Sequence, residues 1–195
     1  MFLVDAASDG VKIERTVMMD SRNAANIHFD NVKVSADNLL GAEGNAYMML
    51  SVVLDVARVC LSAEMLGSMQ EAFDRTLAYL KEREQFKTII GKFQALQHRA
   101  AQMYCEIELC KSLVSKSLNA IDAQSRKLPA YASMTKAKVG ETIKLVTNEG
   151  VQMFGGIGVT DDEEIGFFLK RARVAQATFG DYNYHIDRFA RMNKF

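Results

Sequence analysis

The sequence predicts a mainly α fold, an antiparallel four-helix bundle preceded by a few β-strands. Three observations carry that expectation. Apolar residues recur with period two up to about residue 40 and with a helical period from Gly44 onward. The helical patterns are long and joined by short breaks, which favours antiparallel neighbours around one core. The one proline, Pro129, stands where a helix would begin, a position at which its missing N–H costs nothing.

The elements follow in order. MFLV, VKIERTV and the alternation of Ala25, Ile27 and Phe29 read as short strands, followed by a turn at Asp30-Asn31 and further strand residues Val32 and Val34. So few strands bury too little to stand alone, and the sheet is expected to be completed by further sequence or another chain. From Gly44, the residues Leu50, Val53, Leu54, Ala57, Leu61, Met65 and Met69 mark one helical face that continues to about Leu80. A second helix is predicted from about Gly91 to Ile121, and a third from Pro129 to Met153. The glycines of FGGIG close the third helix, because glycine reaches positive φ without strain. A shorter helix covers EEIGFFLKRARVAQA, and Asp181 is placed to cap a last one ending near Met192.

Composition narrows the function classes. Lys plus Arg equals Asp plus Glu at 24 each, which leaves no excess basic field for nucleic acid or an anionic membrane surface. No uninterrupted apolar run reaches the roughly 18 residues of a membrane span, and the start lacks a signal-peptide pattern. Cys60, Cys105 and Cys110 are odd in number and unsuited to bridging, so a reducing, cytoplasmic setting is expected. None of His28, His98 and His185 follows a Glu by three residues, so the di-metal bundle pattern is missing and no metal is expected. The cysteines lie in apolar helical stretches and read as inert packing, and most of the 11 methionines read as gap filling.

REREQFKTIIGKFQALQHRAAQM is more informative. It brings an Arg at the end of one long helix and a Phe-Gln pair at the start of the next to one bundle corner, a phosphate-binding fork beside flat rings. This stretch, with LDVAR at 54–58, GVQMFGGIGVT, and the strand segment ANIHFDNVKVSADNLLG, resembles the acyl-CoA dehydrogenase family over essentially the whole chain. The resemblance implies that residues 1–43 are the C-terminal strands of that family's middle β domain and 44–195 its C-terminal helical domain. It also implies FAD, with Arg83, Phe86, Phe93, Gln94, Gln152, Phe154, Gly155 and Gly156 among the contacts, joined by Asp181, Tyr182 and Asn183. Asp55, Arg58 and Gly180 stand where the family touches acyl-CoA. Such a flavin is shared between subunits, which implies a homo- or hetero-oligomer, and electron-transfer flavoprotein is the implied acceptor.

The family abstracts the substrate's α-proton with a Glu placed either just before a Gly or inside the LDxxR motif. Here those positions hold Phe179 and Ala57, neither able to accept a proton. Asp181 is the nearest carboxylate in sequence, and it reads foremost as a helix cap. ATFGDYNYHIDRFAR and GFFLKRARVA resemble a subgroup typified by the small subunit of pimeloyl-CoA dehydrogenase. The expectation is a subunit or part of an FAD-dependent acyl-CoA dehydrogenase that lacks the usual base. Two alternatives stand beside it: a non-enzymatic helical assembly module, and a self-sufficient dehydrogenase with an unusual base.

Overall fold

The structure, a computed structural model, describes residues 1–195. The chain divides into two compact units, Met1–Leu54 and Asp55–Phe195. In the first, β1 (Val11–Val17) and β2 (Asn23–Phe29) form an antiparallel hairpin in which Ile13 faces Ile27 and Val11 faces Phe29. Asn31 takes a positive φ of 50°, and the chain leaves the ladder there. The strands expected at MFLV and at Val32 to Val34 therefore do not form. MFLV contributes a single bridge, Phe2 to Leu39, flanked by backbone bonds from the Leu3 N–H to Asn38 and from the Leu40 N–H to Met1. A short 3-10 turn, Ala36–Asn38, is capped by the Ser35 hydroxyl, which accepts from the Asp37 N–H.

The predicted helices are present: α1 (Ala46–Glu82), α2 (Gln94–Asp122), α3 (Leu128–Phe154), α4 (Ile165–Ala177) and α5 (Tyr182–Met192). Within the second unit, Leu61, Met65, Met69 and Phe73 of α1 meet Met103, Ile107 and Val114 of α2, Val139, Ile143 and Val146 of α3, and Ile165 and Ala172 of α4. Spacings of three, four or seven turn these residues to one side of each helix. Burial of each large side chain stabilises the bundle by about 1.5 to 3 kcal/mol. Met65, Met69, Met103 and Met153 fill core gaps as expected, whereas Met19, Met48 and Met49 are exposed. Cys110 is buried, and that burial pushes its thiol pKa up; Cys60 and Cys105 are free and exposed.

Two features depart from expectation. By length and composition alone α1 is apolar enough to cross a membrane, with an 18-residue window of mean hydropathy 1.6. Counting uninterrupted apolar residues misses it, because Asp55 and Arg58 break the run, and in the fold they neutralise each other. A small hairpin, β3 (Glu84–Gln85) with β4 (Thr88–Ile89), also stands between α1 and α2. Strands of two residues carry no periodicity to read. The hairpin's turn residues Phe86 and Lys87 both have positive φ, 54° and 63°, the geometry of a type I′ turn that usually takes Asn-Gly.

Candidate functional site

The residues singled out in the sequence gather at two places on the second unit. The first lies where α1 ends, α2 begins and α3 ends. Arg83, Phe86, Phe93 and Gln94 are exposed there, with the Phe86 ring 86% accessible and set edge-on to Phe93 at 6.1 Å between centroids. α3 ends at Phe154, Gly155 with a φ of +70° opens the 3-10 turn Gly155–Val159, and a Cβ added at Gly155 or Gly156 would meet nothing within 4 Å. Gln152 is exposed beside them. The Phe154 ring turns inward instead, stacked on Tyr79 at 4.2 Å, while its carbonyl accepts from the Tyr79 hydroxyl. The result is an exposed aromatic shelf next to a bare glycine turn.

The second place is the turn between α4 and α5, met by the early part of α1 and the middle of α3. Asp55 is 2% exposed and held by two arginines: Arg188 grips both carboxylate oxygens at 2.7 and 2.8 Å, and Arg58 adds a contact at 2.8 Å. Arg58 also donates from Nε to the Phe179 carbonyl at 3.0 Å and from Nη2 to the Tyr184 hydroxyl at 3.3 Å. Its guanidinium lies 5.5 Å from the centre of the Tyr184 ring. Ala57, on the same helix, is half-buried.

His185 is fully buried at the heart of this cluster. The Phe179 carbonyl can only accept, so Nε2 carries the proton and donates to it at 3.2 Å. Nδ1 is then the acceptor for the Ser133 hydroxyl at 3.3 Å, and Ser133 in turn accepts from Arg188 at 2.9 Å. Burial, reinforced by the positive charges of Lys136, Arg58 and Arg188, pulls the His185 pKa from 6.5 down to about 4, against the hydrogen bond to Phe179. The ring is neutral at physiological pH.

Lys136 reaches the turn from α3, only 2% exposed, and donates to the carbonyls of Gln176 and Gly180, both at 3.0 Å. Burial and the neighbouring Arg58 lower its pKa from 10.5 to about 8, with Asp181 pulling the other way. The backbone it grips is unusual. Phe179 has a φ of +60°, a left-handed conformation that costs a non-glycine residue about 1 to 2 kcal/mol. Gly180 follows at +108°, where a Cβ would strike the Tyr184 ring at 2.4 Å. Asp181 is exposed and accepts from the Tyr184 N–H at 2.9 Å, capping α5 as expected. Tyr182 and Asn183 are exposed in the first turn of that helix. A cavity of about 210 Å³, with Lys136, Arg173, Gln176, Asp181 and Tyr182 in its wall, opens beside them.

Sequence reasoning named Asp55, Arg58 and the 179–183 turn but missed Ser133, Lys136, His185 and Arg188. Only packing brings α3 and α5 together, so no spacing links these residues. Lys136 alone left a trace, as a charge on the face of α3 shared by Ala132, Val139 and Ile143. The two gathering places lie far apart. Arg58 and Arg83 are separated along α1 by seven turns of helix, about 37 Å at 1.5 Å per residue.

Comparisons with known proteins agree with this architecture. The profile described as acyl-CoA dehydrogenase, C-terminal domain, matches residues 42–193. The chain is 30% identical over 193 residues to the short/branched chain specific acyl-CoA dehydrogenase, mitochondrial, of Bos taurus, a match covering 97% of this chain and 44% of that protein. It thus spans less than half the length of that relative. Among solved structures, butyryl-CoA dehydrogenase from Megasphaera elsdenii superimposes with a TM-score of 0.92 at 25% identity, over 100% of this chain and 51% of that one. A variant of the Tcur3481-Tcur3483 steroid ACAD gives a TM-score of 0.88 at 33% identity, over 99% of this chain and 51% of that one.

Proposed function

Because the chain belongs to the acyl-CoA dehydrogenase family through its C-terminal domain, we propose that it serves as part or subunit of an FAD-dependent enzyme that introduces an α,β double bond into an acyl-CoA thioester. The observation that carries this reading is the pair of separated half-sites. A shelf of Arg83, Phe86, Phe93 and Gln94 with the open Gly155-Gly156 turn suits the nucleotide end of a flavin, offering a guanidinium for phosphate and flat rings for stacking. The Phe179-Gly180 turn suits the reacting end. At a separation of about 37 Å along α1, one flavin does not bridge both within a single chain. Each half-site then completes a different flavin, and the working unit is a homo- or hetero-oligomer.

When bound, FAD supplies an acceptor for the β-hydrogen as hydride. The chain's own residues do the positioning. Arg58 and His185 both hold the Phe179 carbonyl inward, which fixes the main chain that a thioester oxygen would meet. Arg58 and Asp55 bear on acyl-CoA through this turn, because their charged groups are spent on one another, on Arg188 and on Phe179. The side chains converging on the turn are basic or neutral, and the nearby carboxylates are engaged, Asp55 in ion pairs and Asp181 as a cap. A second subunit therefore supplies the proton acceptor; that one related solved structure carries a two-component name supports a two-chain arrangement. Electron-transfer flavoprotein is the proposed acceptor, in a reducing cytoplasmic setting.

Co-expression with a second acyl-CoA dehydrogenase subunit tests the reading. The expected result is a yellow complex that reduces a dye with acyl-CoA only when both chains are present. Turnover by this chain alone contradicts the missing base, and a colourless product in every combination contradicts the flavin.

A further inference from the structure

The turn between α4 and α5 receives more hydrogen bonds than ending a helix requires. Five residues, Gln176 to Gly180, contribute three carbonyls that take four bonds from three basic side chains on three different helices: Lys136 of α3, Arg58 of α1 and His185 of α5. We propose that Lys136 is the positioning residue of this turn, clamping the carbonyls of Gln176 and Gly180 so that Phe179 is held in its left-handed conformation with its main chain set against the acyl group.

Several observations support this role. A lysine on the small, apolar face of α3 is costly to bury, and the cost shows in its pKa, depressed to about 8. Its neighbours work against it as well: Arg58 repels it, neutral His185 offers no compensating charge, and Asp181 is the one carboxylate that favours its charged form. A residue that only filled space would be served better by Met or Leu. The two bonds straddle Phe179, so the ammonium ties the last turn of α4 to the first residue beyond the strained position. With 176 and 180 tethered from one side and 179 from the other, the peptide planes around Phe179 have no freedom to relax to negative φ. Gln176 is fixed within α4, and without Lys136 the residue beyond the strained position, Gly180, would be tied back to that helix only through its own N–H on the Ala177 carbonyl at 3.3 Å.

What the clamp serves rests on the acyl-CoA reading; that it exists is tested without any flavin. In isotope-labelled protein, the backbone ¹³C resonances of the Gln176 and Gly180 carbonyls are followed across pH. The clamp predicts that both titrate together with a midpoint near 8, the Lys136 value. It also predicts that in Lys136→Met both become flat while amides of residues 178–182 exchange about tenfold faster or more, and core amides of α2 and α3 keep wild-type protection. Carbonyl resonances that stay flat in the wild type overturn the proposal, and that measurement needs no variant to fold. Unchanged exchange at 178–182 in a folded Lys136→Met protein overturns it equally. Failure of the acyl-CoA reading would show as absent dye reduction and would leave these resonances titrating.

Discussion

Acid should unfold this protein through His185, and the loss can be worked out from the structure. The ring is buried and neutral, and its pKa falls from 6.5 to about 4 on folding. The unfolded chain therefore takes up the proton first as pH drops. Stability from this group is fully present above the unfolded value of 6.5, is lost as pH falls toward 4, and levels off once the folded ring also protonates. A gap of about 2.5 units at about 1.36 kcal/mol each amounts to about 3 kcal/mol. His185→Gln keeps a donor for the Phe179 carbonyl and cannot titrate. Urea unfolding of both proteins at several pH values between 4 and 7 isolates the effect, because every other group titrates in both. The variant starts less stable at pH 7, and the difference should shrink by about 3 kcal/mol toward pH 4. Parallel stability curves would refute the assignment of a buried neutral ring.

Other perturbations have equally definite outcomes. Asp55→Ala strands the buried Arg58 and the half-buried Arg188 and should cost about 3 kcal/mol, seen as a clearly lower thermal midpoint, whereas an unchanged melt would mean the ion pairs contribute nothing. Lys136 titrates near 8 when folded and near 10.5 when unfolded, so its burial penalty fades as pH rises through that window. Stability relative to Lys136→Met should climb accordingly in denaturant titrations. Phe86→Ser alters a ring that is 86% exposed and should leave the melt unchanged while weakening flavin retention by the assembled complex; full retention would remove Phe86 from the cofactor shelf.

The helices were legible because each carries its own period and its own punctuation: Pro129 opening α3, Gly155 closing it, Asp181 capping α5. The hairpin at 84–89 was not, since two-residue strands have no period and its turn uses Phe86-Lys87 where glycine or asparagine is usual. MFLV had strand composition but pairs only through the one bridge to Leu39, a fact about neighbours and not about the segment. The candidate site divides the same way. Asp55, Arg58 and residues 179–183 were found through local motifs, while Ser133, Lys136 and Arg188 act through contacts spanning more than 40 residues of sequence. Nor did the sequence reveal how Asp55 and Arg58 are engaged. The family resemblance set them against acyl-CoA, and in the fold Asp55 is buried against Arg58, which holds the Phe179 carbonyl.

Whether this chain holds a proton acceptor of its own is decided most directly by incubating the purified protein with an acyl-CoA in D₂O and following deuterium entry at the α-carbon by NMR. The prediction is exchange no faster than in buffer for the wild-type chain, with exchange appearing when a second subunit is added or Phe179→Glu is introduced. A positioned base is worth about 100- to 10,000-fold in rate, well above background. Rapid exchange by the wild-type chain alone, abolished in Asp181→Asn, would contradict it.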